Sequence, residues 1–236
     1  MDSLTKKTKV AEAIGNSPGI ILVLERLGLY LGVQEKTIDA ICREHNLNPA
    51  VLLTLLNMQI NRFYEPEEKL RISDITVIVD YLKKSHDYFQ SEIYPAITAD
   101  IRKMAETDAK KEIKMLEEFF NDYCIEVDEH FAYENNVAFP YILKLYQNTS
   151  DGETAIPDSH YSVNEYKSHH DDIEEKLDDL KSLLIKFLPH GNSYRLRRNI
   201  LLHLFELEKD LKAHSKIENE ILIPLVEILE QKQNTD

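Results

Sequence analysis

The stretch His130-Phe-Ala-Tyr-Glu134-Asn135, leading to Phe139-Pro140, is written again as His214-Ser-Lys-Ile-Glu218-Asn219, leading to Ile223-Pro224, 84 positions later. The same offset relates His86-Asp87 to His170-Asp171. Four imidazoles and two carboxylates in a two-fold pattern look like the ligand set of a two-metal site. That reading requires them to meet inside a four-helix bundle.

Apolar periodicity supplies the four helices. The first runs Ile75, Val79, Leu82, His86, Phe89, Ile93. The second runs Ile113, Leu116, Phe120, Tyr123, Val127, His130, Glu134, Val137, Tyr141. The third runs Tyr166, His170, Ile173, Leu177, Leu180, Leu184, and the fourth Ile200, Leu204, Leu207, Leu211, His214, Glu218, Ile221, Leu225, Ile228. Steps of three and four mark a core-facing stripe. The histidines and glutamates lie on these stripes, not opposite them. Each glutamate follows its histidine by four residues, one turn along the same face.

Burial of such groups has to be compensated. An unpartnered buried polar group costs on the order of 1–3 kcal/mol, and a carboxylate more. Six of them at one level would consume most of a folding stability of about 5–15 kcal/mol. Metal ions compensate them directly, because neutral imidazole and ionised carboxylate are metal ligands. A hydrogen-bonded polar layer is the alternative.

The 236 residues suffice for one large domain or a domain with a small module. No apolar run reaches the ~18 residues of a membrane-spanning helix, and no signal-peptide core is visible at the N-terminus. Cys42 and Cys124 lack pairing or metal spacing and are expected to be reduced thiols. A cytoplasmic location is the simplest expectation. Residues 1–65 carry 7 Lys/Arg and 7 Asp/Glu, so the whole net charge of −14 falls on residues 66–236. So acidic a region is a poor partner for nucleic-acid phosphates.

A boundary is expected near Glu65-Pro66, separating a small helical module (1–65) from the bundle (66–236). In the module, turns are expected at Ser17 to Gly19, Gly28 to Gly32 and Asn46 to Pro49. Thr37, Ile38, Ile41 and Cys42 are expected to pack on Pro49, Val51, Leu52 and Leu55. In the bundle, a long loop is expected from Thr149 to about Ser162, and a short turn from Pro189 to Ser193. The fold class is therefore all-α: an up-down-up-down four-helix bundle preceded by a small helical domain.

Residues 70–230 resemble a hemerythrin-like domain, specifically that of the iron–sulfur cluster repair proteins of the RIC or ScdA type. The resemblance lies in His-Asp on the first and third helices, and in His-x-x-x-Glu followed by proline on the second and fourth. It implies a bridged di-iron centre held by His86, His130, Glu134, His170, His214 and Glu218, the two glutamates bridging. His169 adjoins His170, but only His170 is in phase with the stripe. Residues 1–65 resemble the small domain that precedes the bundle in that family, through Thr37-Ile38 and Asn48-Pro49-Ala50-Val51-Leu52. They depart from it where the family typically has adjacent cysteines; this chain has Leu31-Gly32 there.

Two imidazoles per metal with shared carboxylates leave each ion below six-coordinate and open to O2, NO or peroxide. Zinc or manganese suits the same ligands, since selectivity depends on geometry and supply. His45, His160 and His190 are expected in turns and loops. His203 lies 11 residues from His214, about 16 Å along a helix, and cannot join the centre. Tyr88, Tyr123, Tyr133 and Tyr166 are expected to pack, with one of them able to hold a ligand from behind. No residue pattern marks a substrate pocket beyond the metals, and no catalytic residue is assigned. The functions considered are iron–sulfur cluster repair under nitrosative or oxidative stress, an O2 or NO sensor acting through residues 1–65 on a protein partner, and a DNA-touching regulator.

Overall fold

The computed structural model describes residues 3–66, 70–107, 111–151, 161–168, 175–188 and 193–233. Among them there is no β-strand; Lys9 and Thr37 form an isolated antiparallel bridge. The expected all-α bundle class holds. The described residues up to 65 contain α1 (Val10–Asn16), α2 (Ile20–Arg26), α3 (Ile38–Glu44) and α4 (Pro49–Ile60). The remainder contains α5 (Ile75–Tyr88), α6 (Tyr94–Thr107), α7 (Lys111–Tyr133), α8 (Phe139–Asp151), α9 (Val163–Ser168), α10 (Glu175–Ser182), α11 (Tyr194–Ile217) and α12 (Ile223–Gln233). The expected turn at Pro189 to Ser193, apart from Ser193 itself, and most of the expected loop at 149–162 lie outside the described residues. So do His160, His169, His170 and His190.

Local sequence accounts for the short helices. Thr37 caps α3 by accepting from the Ala40 amide at 3.2 Å. Asn48 caps α4 through the Ala50 amide at 3.0 Å, with Pro49 opening the helix. Gly28 (φ 72°) and Gly32 (φ 101°) take left-handed conformations in the turn after α2, where a β-carbon would strain the backbone.

The bundle helices continue through π turns. Five-residue π segments occupy Phe89–Ile93, Glu134–Ala138, Leu183–Phe187 and Glu218–Leu222. A proline stands six residues after the start of each: Pro95, Pro140, Pro189 and Pro224. Proline has no N–H to give, and its ring crowds the carbonyl four residues back, so the turn before it widens to the i−5 pattern. Ile223 N–H accordingly bonds Glu218 O.

Each π turn inserts one residue and shifts the apolar phase. The sequence stripe places Val137 and Ile228 in the core. In the structure Val137 is 41% and Ile228 43% exposed, whereas Ala138, Ile142 and Leu145, and Leu222, Val226 and Leu229, are buried. The stripe therefore misplaces Val137 and Ile228, whereas its Tyr141, Ile221 and Leu225 are buried as expected.

The chain gathers into two compact units. The first comprises residues 1–84, 139–163 and 213–236. In it α2 and α3 pack on α4, and α8 packs on α12. Ile38, Ile41, Cys42, Val51, Leu52 and Leu55 are all buried, as the module's pattern requires. Asn57 clamps the chain start, accepting from Leu4 N–H at 2.7 Å and donating to Leu4 O at 3.1 Å. Contacts also cross the position of the expected boundary at residue 65: Asn48 donates to Asp74 at 2.9 Å, and Lys216 donates to the Arg62 and Tyr64 carbonyls at 2.8 and 2.6 Å. The second unit comprises residues 85–138 and 164–212. Here α7 packs against α6 and α10 around a core containing Phe89, Phe120, Phe131, Leu180, Leu204 and Leu207. Each such side chain contributes about 1.5–3 kcal/mol by burial.

Candidate metal centre

His86 stands on the last full turn of α5 and is completely buried. Its ring stacks on Phe131, with centroids 4.0 Å apart and planes 14° from parallel. Its Nδ1 lies 3.2 Å from Asn135 Oδ1. An amide oxygen only accepts, so Nδ1 donates to it, and in the neutral ring Nε2 is the atom left to hold a metal. That Nε2 lies 3.2 Å from Glu134 Oε2.

Glu134 opens the π segment after α7 and is completely buried. Its two oxygens face different imidazoles. Oε2 faces His86 Nε2 at 3.2 Å, and Oε1 faces His130 Nε2 at 3.4 Å. Tyr166, also buried, donates its hydroxyl to Oε1 at 3.2 Å. Oε2 has no hydrogen-bond partner among the described residues. A neutral imidazole nitrogen and a buried carboxylate oxygen 3.2 Å apart are both donors to a cation. The donor set of imidazole and carboxylate fits iron, zinc or manganese.

The second half of the repeat holds the same local pair. His214, on the last turn of α11, is 2% exposed, and its Nε2 lies 3.3 Å from Oε1 of the completely buried Glu218. Glu218 opens a π segment as Glu134 does. One ligand atom from each of His86, Glu134, His214 and Glu218 lies within 4.8 Å of the others, a buried group able to hold metal. These four are among the six residues expected from the sequence. His130 is not in that group; its Nε2 faces the second oxygen of Glu134 at 3.4 Å, with 8% of its side chain exposed. His170 lies outside the described residues.

Two residues acquire roles that periodicity did not assign. Asn135 orients His86; its trace in the sequence is its recurrence as Asn219, directly after the second glutamate. Tyr166, one of the four tyrosines named from the sequence, donates to Glu134. Tyr123 is buried against Tyr94, rings edge to face with centroids 6.2 Å apart. Burial, with Tyr123, Cys124 and Asp128 nearby, pushes the Tyr94 phenol well above its ordinary range, so it stays neutral. Cys42 and Cys124 are free thiols, raised by burial to about 11 and about 12. Among the described residues no helix is long and apolar enough to cross a membrane.

The family model for the hemerythrin HHE cation binding domain matches residues 77–226 of the chain. This span includes all six residues of the repeated His/Glu pattern. No curated protein matches the chain.

Proposed function

The chain belongs to the hemerythrin family of HHE cation-binding domains, and we propose that His86, His130, Glu134, His170, His214 and Glu218 hold two iron ions bridged by the two glutamates. The observation that carries this reading is Glu134 presenting a separate oxygen to each of two imidazoles, Oε2 to His86 and Oε1 to His130. A carboxylate so placed suits a bridge better than a terminal ligand. When bound, the irons supply open coordination positions and a ferrous–ferric couple. The chain supplies the rest. Asn135 keeps the His86 proton on Nδ1, Tyr166 holds one oxygen of Glu134, and the Phe131 ring keeps water from the His86 face.

On this reading the protein handles O2, NO or peroxide at the iron pair in the response to nitrosative or oxidative stress. Iron–sulfur cluster repair in the cytoplasm is the first reading of that role, with residues 1–65 as a module that engages a protein partner. A second reading, a sensor signalling through that module, is favoured by one contact. Lys216, which lies between His214 and Glu218 in the chain, donates to the Arg62 and Tyr64 carbonyls at the module's end. Metal analysis and optical spectra of the purified chain, with and without O2 or NO, test the centre. About two irons are expected per chain, with lower content in both His130→Ala and His214→Ala. Full iron in both variants places the metal elsewhere.

A further inference from the structure

A line of touching rings leads away from His86, all of it within the second unit. The His86 ring stacks on Phe131 with centroids 4.0 Å apart. Phe131 meets Phe89 at 5.8 Å, Phe89 meets Tyr94 at 6.5 Å, and Tyr94 meets Tyr123 at 6.2 Å. Aromatic pairs interact at centroid spacings up to about 7 Å, so every step is a contact. Phe131, Phe89, Tyr94 and Tyr123 are all buried. The line ends at Cys124, which follows Tyr123 on α7 and packs on the same core with its thiol half-buried. Asp128 lies one turn further along α7, exposed, and accepts from Gln90 at 2.8 Å.

The line is sorted by chemistry. Next to His86 stand two phenylalanines, which are hard to oxidise and serve only to carry an electron across. Beyond them stand two phenols and a thiol, side chains that give up one electron together with one proton. Burial keeps the Tyr94 phenol well above its ordinary range and pushes the Cys124 thiol up to about 12, so both hold their protons. A protonated thiol is a poor nucleophile, so Cys124 is not set up for direct attack on peroxide. Resting on the two-metal reading above, we propose that Tyr94, Tyr123 and Cys124 form a built-in reductant, supplying the two electrons that reduce a peroxide at the centre. One phenol sends its electron through Phe89 and Phe131 toward His86 and its proton toward Asp128. The phenoxyl takes an electron and a proton from the Cys124 S–H, which restores its O–H bond and leaves a thiyl. A second phenol oxidation supplies the other electron. In balance, one H2O2, one phenol and one thiol give two waters, one phenoxyl and one thiyl. Oxidising power thereby moves from the buried histidines and glutamates to a half-exposed sulfur, where a small thiol can return the hydrogen atom.

The test uses the full iron-loaded chain, mixed with one equivalent of H2O2 and frozen at intervals for electron paramagnetic resonance. Mass spectrometry of spin-trap adducts is the second readout. The natural chain is expected to give a phenoxyl signal and an adduct on Cys124. Both are lost when Tyr94→Phe and Tyr123→Phe are combined. Cys124→Ser loses the adduct, while the phenoxyl signal grows and lasts longer. Phe89→Leu leaves both phenols in place but breaks the line of rings, and delays both signals. Circular dichroism and iron content confirm that each variant is folded and loaded. Tyr166, whose hydroxyl meets Glu134, is the competing donor. A phenoxyl signal that survives the double variant and vanishes in Tyr166→Phe overturns the proposal. So does a loaded natural chain that yields neither signal, or timing unchanged by Phe89→Leu. A natural chain that takes up no pair of irons overturns the two-metal reading itself.

Discussion

His86 donates its Nδ1 proton to Asn135 Oδ1 across 3.2 Å, and this bond decides which ring nitrogen faces Glu134. The acceptor lies one residue beyond the glutamate, on the π turn that the glutamate opens. Ligand and orienting residue are therefore delivered by one local distortion of the second bundle helix.

Replacing Asn135 by leucine removes the acceptor and lets the proton move to Nε2, where it blocks the metal. Metal affinity should fall roughly 10–100-fold, as for other residues that orient a ligand from behind. Asn135→Asp keeps an acceptor and should bind metal much better than the leucine variant. Equal affinity in the two variants, measured against a competing chelator, would show that the bond has no orienting role.

The π turns make an opposite forecast to simple periodicity. Val137→Asp should change stability by no more than about 0.5 kcal/mol, because the side chain is 41% exposed. Ala138→Asp buries an uncompensated charge and should cost roughly 3–5 kcal/mol. Ile228→Asp and Leu229→Asp repeat the contrast beyond the second glutamate, with Leu229→Asp the damaging change. Urea unfolding of the four variants decides the matter. The reverse ranking would restore the uninterrupted stripe.

Metal removal should loosen the protein. Glu134 and Glu218 are both completely buried, so a folded chain stripped of cations carries their charge into its core. At metal concentrations about 100-fold above the dissociation constant, binding adds about 2.7 kcal/mol. For a chain of this size that corresponds to a fall of about 5–10 °C in Tm on chelation. Identical melting curves, with removal of metal verified, would mean that the polar layer satisfies itself.

The second unit contains a pH-dependent clamp. Glu208 meets both Lys181 and Lys212, and Lys181 also meets Asp178 at 2.7 Å. Burial opposes the Glu208 charge, but hydrogen bonds from the two ammonium groups outweigh it and hold the carboxyl below its ordinary value. A lowered folded pKa means that the stabilisation is present above the unfolded value and is lost as pH falls through the lowered one. Glu208→Gln should therefore cost roughly 1–3 kcal/mol at pH 7, and the difference should close in acid, below about pH 4. Unfolding midpoints at the two pH values check this. A deficit as large in acid as at neutral pH would assign it to packing.

The chemistry was legible in the sequence because it is local. His130 to Glu134 and His214 to Glu218 are four-residue steps, and a helix puts such pairs on one face whatever surrounds them. The all-α class followed from stripes long enough to outlast single-residue errors. The π turns were marked only by prolines, whose steric effect depends on the helix around them, so the stripes ran on through Val137 and Ile228.

Tertiary structure alone decided the pairings between residues distant in the chain. Asn135 reaches His86 from 49 positions away, and Tyr166 reaches Glu134 from 32. Helical periodicity says which face a side chain occupies, but not which neighbouring helix that face meets or at what height. The repeat announces equal ligands in its two halves. That Tyr166 reaches Glu134 Oε1 depends on how helices far apart in the chain pack side by side, a relation no spacing encodes.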